Sequence, residues 1–463
     1  MATGVKRSWV AMRAARSFPI LPEQHRNDWT PACKPAAGIQ AGQQSKKRKM
    51  KRSVSIAACL ILLCTIALSA CAVQAPQKLA NPCALPAQDD DWAVATPAEA
   101  GFDPIRLCKL LEETAAGTHN IHGLLIERQG RLVAEMYRRG KDTPITRLYG
   151  ISNPFASATQ FSADQLHDVR SISKSVVSLL YGVALEKGRA PALDSSVLQA
   201  YPGIAPSWAN EGATMTFRHL LTMTSGLEWH EMGRGTLSSD ETRLFWKSDR
   251  ARFLLERPLV AKPGTQFNYN GGATTVLAET ISRAASKTLA ELAREDLLAP
   301  LGISHFEWGT DLHDRPLAFA GLRLRPRDLL KIGRLVNTRG EWHGRQIVPQ
   351  SWIIESTRAH IPTGIQLLSI AGEEVHYGYQ WWTGKVRVNG RDLTWVSGIG
   401  NGGQRAFAVP DLDMTLVLTA GDYGSGAIQA AESRLIYRLL ETVKHWSGFS
   451  LSCGADAGRL GLD

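Results

Sequence analysis

Apolar and polar positions change period several times along the chain, and each change marks an element. In "AGFDPIRLCKLLEETAAG" Asp103 is placed to N-cap a helix that opens on Pro104 and closes at Gly117. "HGLLIERQGRLVAEMYRRG" holds two β-rich runs around Gln129-Gly130 and predicts a hairpin. From about residue 165 to 300 the pattern is mostly helical. There "DVRSISKSVVSLLYG", Asp168 to Gly182, leads into an apolar run through Val176, Val177, Leu179, Leu180 and Val183. β character then returns: "LTWVSGIGNGGQRAFAVPDLDMTLVLTAG" predicts two strands with a turn at Pro410-Asp411-Leu412-Asp413. "AIQAAESRLIYRLLETVKHW" closes as an amphipathic helix with Ile428, Ala431, Leu435, Leu439 and Val443 at helical spacing. The order predicts an α+β fold: an antiparallel sheet flanked by N- and C-terminal helices, with an inserted, mostly helical lobe.

A different pattern precedes the body. "MKRSVSIAACLILLCTIALSACA" begins at Met50 with a short basic start, an apolar run from Ser53 to Ala70 and a small-residue site. That is the layout of a secretory signal over residues 50–70. Leu68-Ser69-Ala70-Cys71 resembles a bacterial lipobox, which implies lipidation at Cys71. An uncleaved anchor is the alternative, and both readings place the body outside the cytoplasm, in the periplasm or exterior. Residues 1–49 are polar, basic and unlike any part of a signal, and are read as an over-extended, disordered start. Pro/Ala/Gln-rich residues 71–90 read as a tether, 91–446 as the body and 447–463 as a tail.

This division changes the meaning of the charge. The formal net charge is +10. Residues 1–70 hold twelve Lys/Arg against Glu23 and Asp28, which accounts for all of it, and the rest balances. A neutral body gives no electrostatic case for nucleic acid. Cysteine use fits export: Cys59 and Cys64 lie in the signal and Cys33 in the extension, leaving Cys83, Cys108 and Cys453. A Cys83–Cys108 disulfide is compatible with that, but the sequence does not choose among pairings. No CxxC or zinc-like Cys/His spacing occurs.

Chemistry enters at Ser171-Ile172-Ser173-Lys174. On a helix, residues three apart share a face, so Ser171 and Lys174 lie side by side, whereas Ser173 points elsewhere. A serine becomes nucleophilic when a base takes its proton. A lysine serves only when neutral, and its ordinary pKa is about 10.4. Burial, the adjacent Arg170 and a helix N-terminus are expected to lower it. By itself the pattern is also compatible with a piece of buried helix. In "PGTQFNYNGGATTVLAETI" Tyr269 precedes a Gly271-Gly272 break, where a phenol can face a cleft and relay a proton. In "WVSGIGNGGQ" glycines inside a strand mark a bulge or a close backbone approach. Such an edge can supply an oxyanion-hole N–H. No Gly-x-Ser-x-Gly elbow and no His-Glu-x-x-His occurs.

These three pieces, in this order, resemble the serine β-lactamase and penicillin-binding-protein superfamily, whose nucleophile signature is Ser-x-x-Lys. The likeness is to its class C-like esterase branch and to 6-aminohexanoate-dimer (nylon oligomer) hydrolases. It extends through "TFRHLLTMTSGLEW", "KPGTQFNYNGG", "RPRDLLKIGRLVNTRGEWHGRQIVPQSWI" and "YGYQWW", about residues 95–445. The resemblance implies a β-lactamase-like fold and an acyl-serine mechanism. Ser171 would be the nucleophile, Lys174 its base and Tyr269 the proton shuttle, with backbone N–H groups of Ser171 and Ile399 as the oxyanion hole. It implies no metal or other cofactor.

Two departures steer the substrate. Val396 stands where β-lactamases carry the cation that binds a substrate carboxylate, and Gly271 stands where they carry Asn. Both favour small esters or linear amides over β-lactams or peptidoglycan. Trp381, Trp382, Trp229 and Glu231 are candidate cleft residues, with core packing the alternative for the tryptophans. A weak β-lactamase or D-Ala-D-Ala carboxypeptidase, and a non-catalytic envelope binding protein, are the rival readings.

Overall fold

The computed structural model describes residues 81–89, 91–145, 157–211, 214–231, 238–368 and 373–444. The signal segment, Cys71 and Cys453 lie outside them. Nine strands of the described chain form one sheet: β1 (Ala93–Val94), β2 (Ile121–Arg128), β3 (Arg131–Tyr137), β4 (Ile361–Pro362), β5 (Glu374–Tyr377), β6 (Trp382–Val388), β7 (Arg391–Gly400), β8 (Gln404–Val409) and β9 (Met414–Ala420). Their spatial order is β1-β3-β2-β9-β8-β7-β6-β5-β4. β1 runs parallel to β3, and every other neighbouring pair is antiparallel.

The β2–β3 hairpin turns at Gln129 and Gly130, both with positive φ (54° and 76°). Two consecutive left-handed residues are what a tight hairpin matched to strand twist requires. The stretch from Leu393 to Gly421 holds three strands where two were expected. Gly402 and Gly403, at φ 87° and 103°, break the first run between β7 and β8. The second break falls at Pro410–Leu412, as the sequence suggested.

Helix α1 (Pro104–Ala116) is capped by Asp103, whose carboxylate accepts from the Ile105 and Arg106 N–H groups at 3.1 and 3.0 Å. It packs on the closing helix, α5 (Gly426–Leu440). Val443, expected on the face of that helix, pairs instead with Phe102 beyond its end. Cys83 is disulfide-bonded to Cys108 of α1. Arg327 binds the Asp89 carboxylate at 2.5 Å and the Ala87 carbonyl at 2.9 Å. Residues 81–89, at the end of the stretch read as a tether, therefore lie against the body.

Helix α2 (Ile172–Glu186) is the core of the helical lobe, with every residue from Ile172 to Ala184 buried. This explains an apolar run with no polar face. It packs on α3 (Gly271–Ala285) and meets β7 and β8. Gly182 lets the helix pass Trp352: a Cβ there would lie 2.2 Å from the indole. Helix α4 (Pro326–Asn337) covers β9, β8 and β2.

Candidate active site

Ser171 stands at the N-cap of α2, partly exposed, one turn before the buried Lys174. The approach is held tightly. His167-Asp168 pairs with Leu322–Leu324 in a small second sheet. Arg170 then takes a left-handed conformation, φ 53°, uncommon for a residue with a side chain. Its N–H donates to Asp168 Oδ1 at 2.8 Å, its guanidinium donates to the Thr143 carbonyl at 2.5 Å and lies 4.0 Å over the Tyr423 ring. The sharp entry turns Ser171 out of the core while the next residue plunges into it.

Lys174 Nζ lies 3.1 Å from Ser171 Oγ. It also reaches Glu231 Oε1 at 3.1 Å, Glu241 Oε2 at 3.0 Å and the Phe319 carbonyl at 3.3 Å. Burial pulls the ammonium down, but Glu231, Glu241 and Tyr269 outweigh it and hold Lys174 well above its ordinary value. The sequence-based expectation of a depressed lysine is thereby corrected. Arg170, expected to repel a proton from Lys174, is turned toward Asp168, Thr143 and Tyr423 instead.

Glu231, a candidate cleft residue, is a direct partner of Lys174. Its Oε2 accepts from the Trp229 indole at 2.8 Å and from the Gly271 N–H at 2.7 Å. The latter donor belongs to the N-terminus of α3, which favours negative charge. Burial, together with the neighbouring Glu241, still pushes the Glu231 carboxyl up to about 8. Glu241 comes from a short helix, Asp240–Leu244, capped by Ser239, and sequence reasoning missed it.

Gly271 acquires a reason here. A Cβ at this position would lie 3.0 Å from Glu241 Oε2 and 3.2 Å from Glu231 Oε2. The volume an asparagine side chain would need is taken by the two carboxylates.

Tyr269 precedes α3, whose N-cap Asn270 accepts from the Ala273 N–H at 3.0 Å. The Tyr269 ring lies 4.6 Å from Lys174 Nζ. Burial raises its phenol, while Lys174 and a hydrogen bond with Ser171 pull it back. Ser171, Lys174 and Tyr269 thus converge. The ring is boxed by Trp382 at 5.6 Å and Tyr377 at 6.1 Å.

Of the other candidates, Trp382 touches Tyr269 directly. Trp229 is buried and donates its indole N–H to Glu231. Trp381 is fully buried in the core, with no surface to offer a substrate.

The Gly-rich strand abuts the nucleophile. β6 pairs with β7 only as far as Ser397, leaving Gly398–Gly400 paired to β8 alone. A Cβ on Gly398 would lie 2.9 Å from Ile172, and one on Gly400 would lie 2.4 Å from the Val169 carbonyl. These glycines let the strand press against the start of α2, which brings Ile399 beside the Ser171 turn. A cavity of about 590 Å³ lined by Tyr201, Ile204, Arg250, Arg283, Leu289 and Pro316 includes none of these residues.

A family model described as Beta-lactamase matches residues 121–439, and the chain belongs to that family. It is 27% identical over 326 residues to the 6-aminohexanoate-dimer hydrolase of Paenarthrobacter ureafaciens, covering 66% of this chain and 73% of that protein. Among solved structures it resembles EstCE1, a hydrolase with promiscuous acyltransferase activity (TM-score 0.54, 17% identity, 74% of this chain and 98% of that one). It also resembles a family VIII carboxylesterase (TM-score 0.54, 15% identity, 73% and 96%). These structural likenesses are of fold. The chain is thus a serine hydrolase of the β-lactamase family.

Proposed function

We propose that the protein hydrolyses carboxylic esters or small linear amides through an acyl-serine intermediate, from a body lipid-anchored at Cys71 on the outer side of a membrane. The observation that carries the chemistry is the contact of Ser171 Oγ with Lys174 Nζ at 3.1 Å beside the Tyr269 phenol. In this reading Ser171 Oγ attacks the carbonyl carbon as its proton passes to Lys174. Lys174 has first given a proton to ionised Glu231, which leaves the amine a lone pair to receive the serine proton. The oxyanion is held by the backbone N–H groups of Ser171 and Ile399. Tyr269 protonates the departing alkoxide or amine, and water then releases the acid by the reverse proton path.

The substrate class follows from what the cleft does not offer. Val396, on β7, brings no cation for a substrate carboxylate, and the second motif carries Gly271 under two carboxylates. Both features disfavour anionic β-lactams and cell-wall peptides, and the likeness to a 6-aminohexanoate-dimer hydrolase supports esters and linear amides. The export signal read at residues 50–70 supports the location.

The test is turnover by the full chain, in detergent, of short-chain p-nitrophenyl esters, 6-aminohexanoate dimer and nitrocefin, each beside Ser171→Ala. Turnover of the ester or the dimer that is lost in the variant, with nitrocefin far slower, is expected. Nitrocefin as the best substrate would overturn the assignment.

A further inference from the structure

Beneath the segment that leads into Ser171, two buried histidine rings meet edge on. His122 Nδ1 lies 2.7 Å from His167 Nε2, and both residues are almost wholly inaccessible. The other nitrogen of each ring is already committed. The Asn120 amide is oriented by its own bonds, with Nδ2 donating to the Lys141 carbonyl at 2.7 Å and Oδ1 accepting from the Lys141 N–H at 3.0 Å. His122 Nε2 faces that Oδ1 at 3.0 Å, and an oxygen that can only accept requires an N–H there. His167 Nδ1 faces the Asp168 carbonyl at 3.1 Å, which likewise requires an N–H. The two facing nitrogens of the neutral rings are therefore both lone pairs, at hydrogen-bonding distance with no hydrogen to share.

A cation between the two rings would resolve the conflict, and the side chain beside them suits a metal ion. The Asp142 carboxylate joins the two free nitrogens, with one ligand atom from each residue within 4.8 Å of the others. Tyr423 donates its hydroxyl to Asp142 Oδ1 and so orients the carboxylate. Asn120, Asp168 and Tyr423 are the kind of outer partners that fix the tautomer and direction of metal ligands.

The pocket is also shaped for the ring. Phe161 stacks on His122 at 3.9 Å and 9°. Gly140 and Gly421 leave room that a Cβ would close to 2.4 and 2.6 Å from the imidazole.

We infer that His122, His167 and Asp142 form a binding site for one divalent transition-metal ion of the zinc class, structural in role, with water completing the shell. Nitrogen and carboxylate donors in a three-ligand set suit Zn²⁺ or Co²⁺. Ligation at Zn–N distances of about 2.0–2.1 Å asks the two nitrogens to part to about 3.3 Å, a small ring movement. The ion would tie β2, the loop after β3 and the strand before Arg170 into one unit. The clamp on Arg170 shares Tyr423 with it, so the site supports the approach to Ser171 without touching substrate.

The test uses the full chain purified without a polyhistidine tag, stripped with chelator and titrated with Co²⁺ and Zn²⁺. One Co²⁺ per chain with a tetrahedral visible spectrum is expected, as is a melting temperature that rises with Zn²⁺. Asp142→Asn, which keeps size and fold, is expected to weaken Co²⁺ binding at least about tenfold. His167→Gln is expected to abolish the spectrum. No saturable Co²⁺ binding by the folded parent would overturn the site, as would binding unchanged in both variants. None of these readouts depends on turnover.

Discussion

Lys174 Nζ and Glu231 Oε1 lie 3.1 Å apart, so the candidate base of this site is itself tied to an acid. Two carboxylates converge on one buried ammonium, and such a cluster holds a proton tightly. The pH behaviour of the enzyme should belong to this unit, not to a lone lysine.

The first consequence is a rising limb. Glu231 accepts a proton only when ionised, and its carboxyl is pushed up to about 8. The ester kcat/KM is therefore expected to climb as pH rises through about 8. In Glu231→Gln that limb should vanish and the rate fall about 10²–10⁴-fold, the usual worth of a proton-transfer group. A pH–rate profile of the two proteins checks this. The same shift acts on stability with opposite sense. A carboxyl raised by folding stabilises fully below its unfolded value, near 4.3, and that contribution is lost as pH rises to about 8. Thermal unfolding from pH 4 to 9 should show a decline that Glu231→Gln flattens.

Gly271 is the second point of leverage. Gly271→Asn restores the residue usual in β-lactamases but places it against Glu231 and Glu241. We expect the carboxylates to be displaced from Lys174 and the pH–rate limb near 8 to shift or disappear. An unchanged profile with ordinary folding would show that the two glutamates do not set it.

Tyr269→Phe removes the phenol and leaves the ring in its box of Trp382 and Tyr377. kcat is expected to fall about 10²–10⁴-fold with KM little changed, because the hydroxyl acts on a proton in flight. Steady-state kinetics on one p-nitrophenyl ester decide it. A change confined to KM would place Tyr269 in binding.

How far the sequence carried is clearest at this site. Ser171, Lys174 and Tyr269 were legible through their order along the chain and the family resemblance of the segments between them; helical spacing by itself said only that Ser171 and Lys174 share a face. Glu241 was not legible. It lies 67 residues from Lys174 and arrives on a five-residue helix whose position depends on the packing of the whole lobe. The direction of the lysine's shift failed for the same reason: burial was visible in the apolar run, but the two acids were not. In the fold, the helices and the hairpin at Gln129-Gly130 were readable from caps and turns. The β7–β8 turn was not, because glycines that serve close packing on α2 and glycines that make a turn look alike in one run.

The Cys83–Cys108 disulfide joins residues 25 positions apart in the sequence. Cys83→Ser with Cys108→Ser is expected to cost about 2–4 kcal/mol of stability. Residues 81–89 should gain susceptibility to protease, with turnover retained at low temperature. Denaturant unfolding and limited proteolysis measure both.

The central claim is a covalent acyl-serine at Ser171. The most direct measurement is intact-protein mass spectrometry after rapid acid quench of the full chain with a p-nitrophenyl ester, followed by peptide mapping. The account predicts one acyl group per chain, mapped to Ser171 and absent in Ser171→Ala. Turnover with the adduct on another residue, or undiminished turnover in Ser171→Ala, would contradict it.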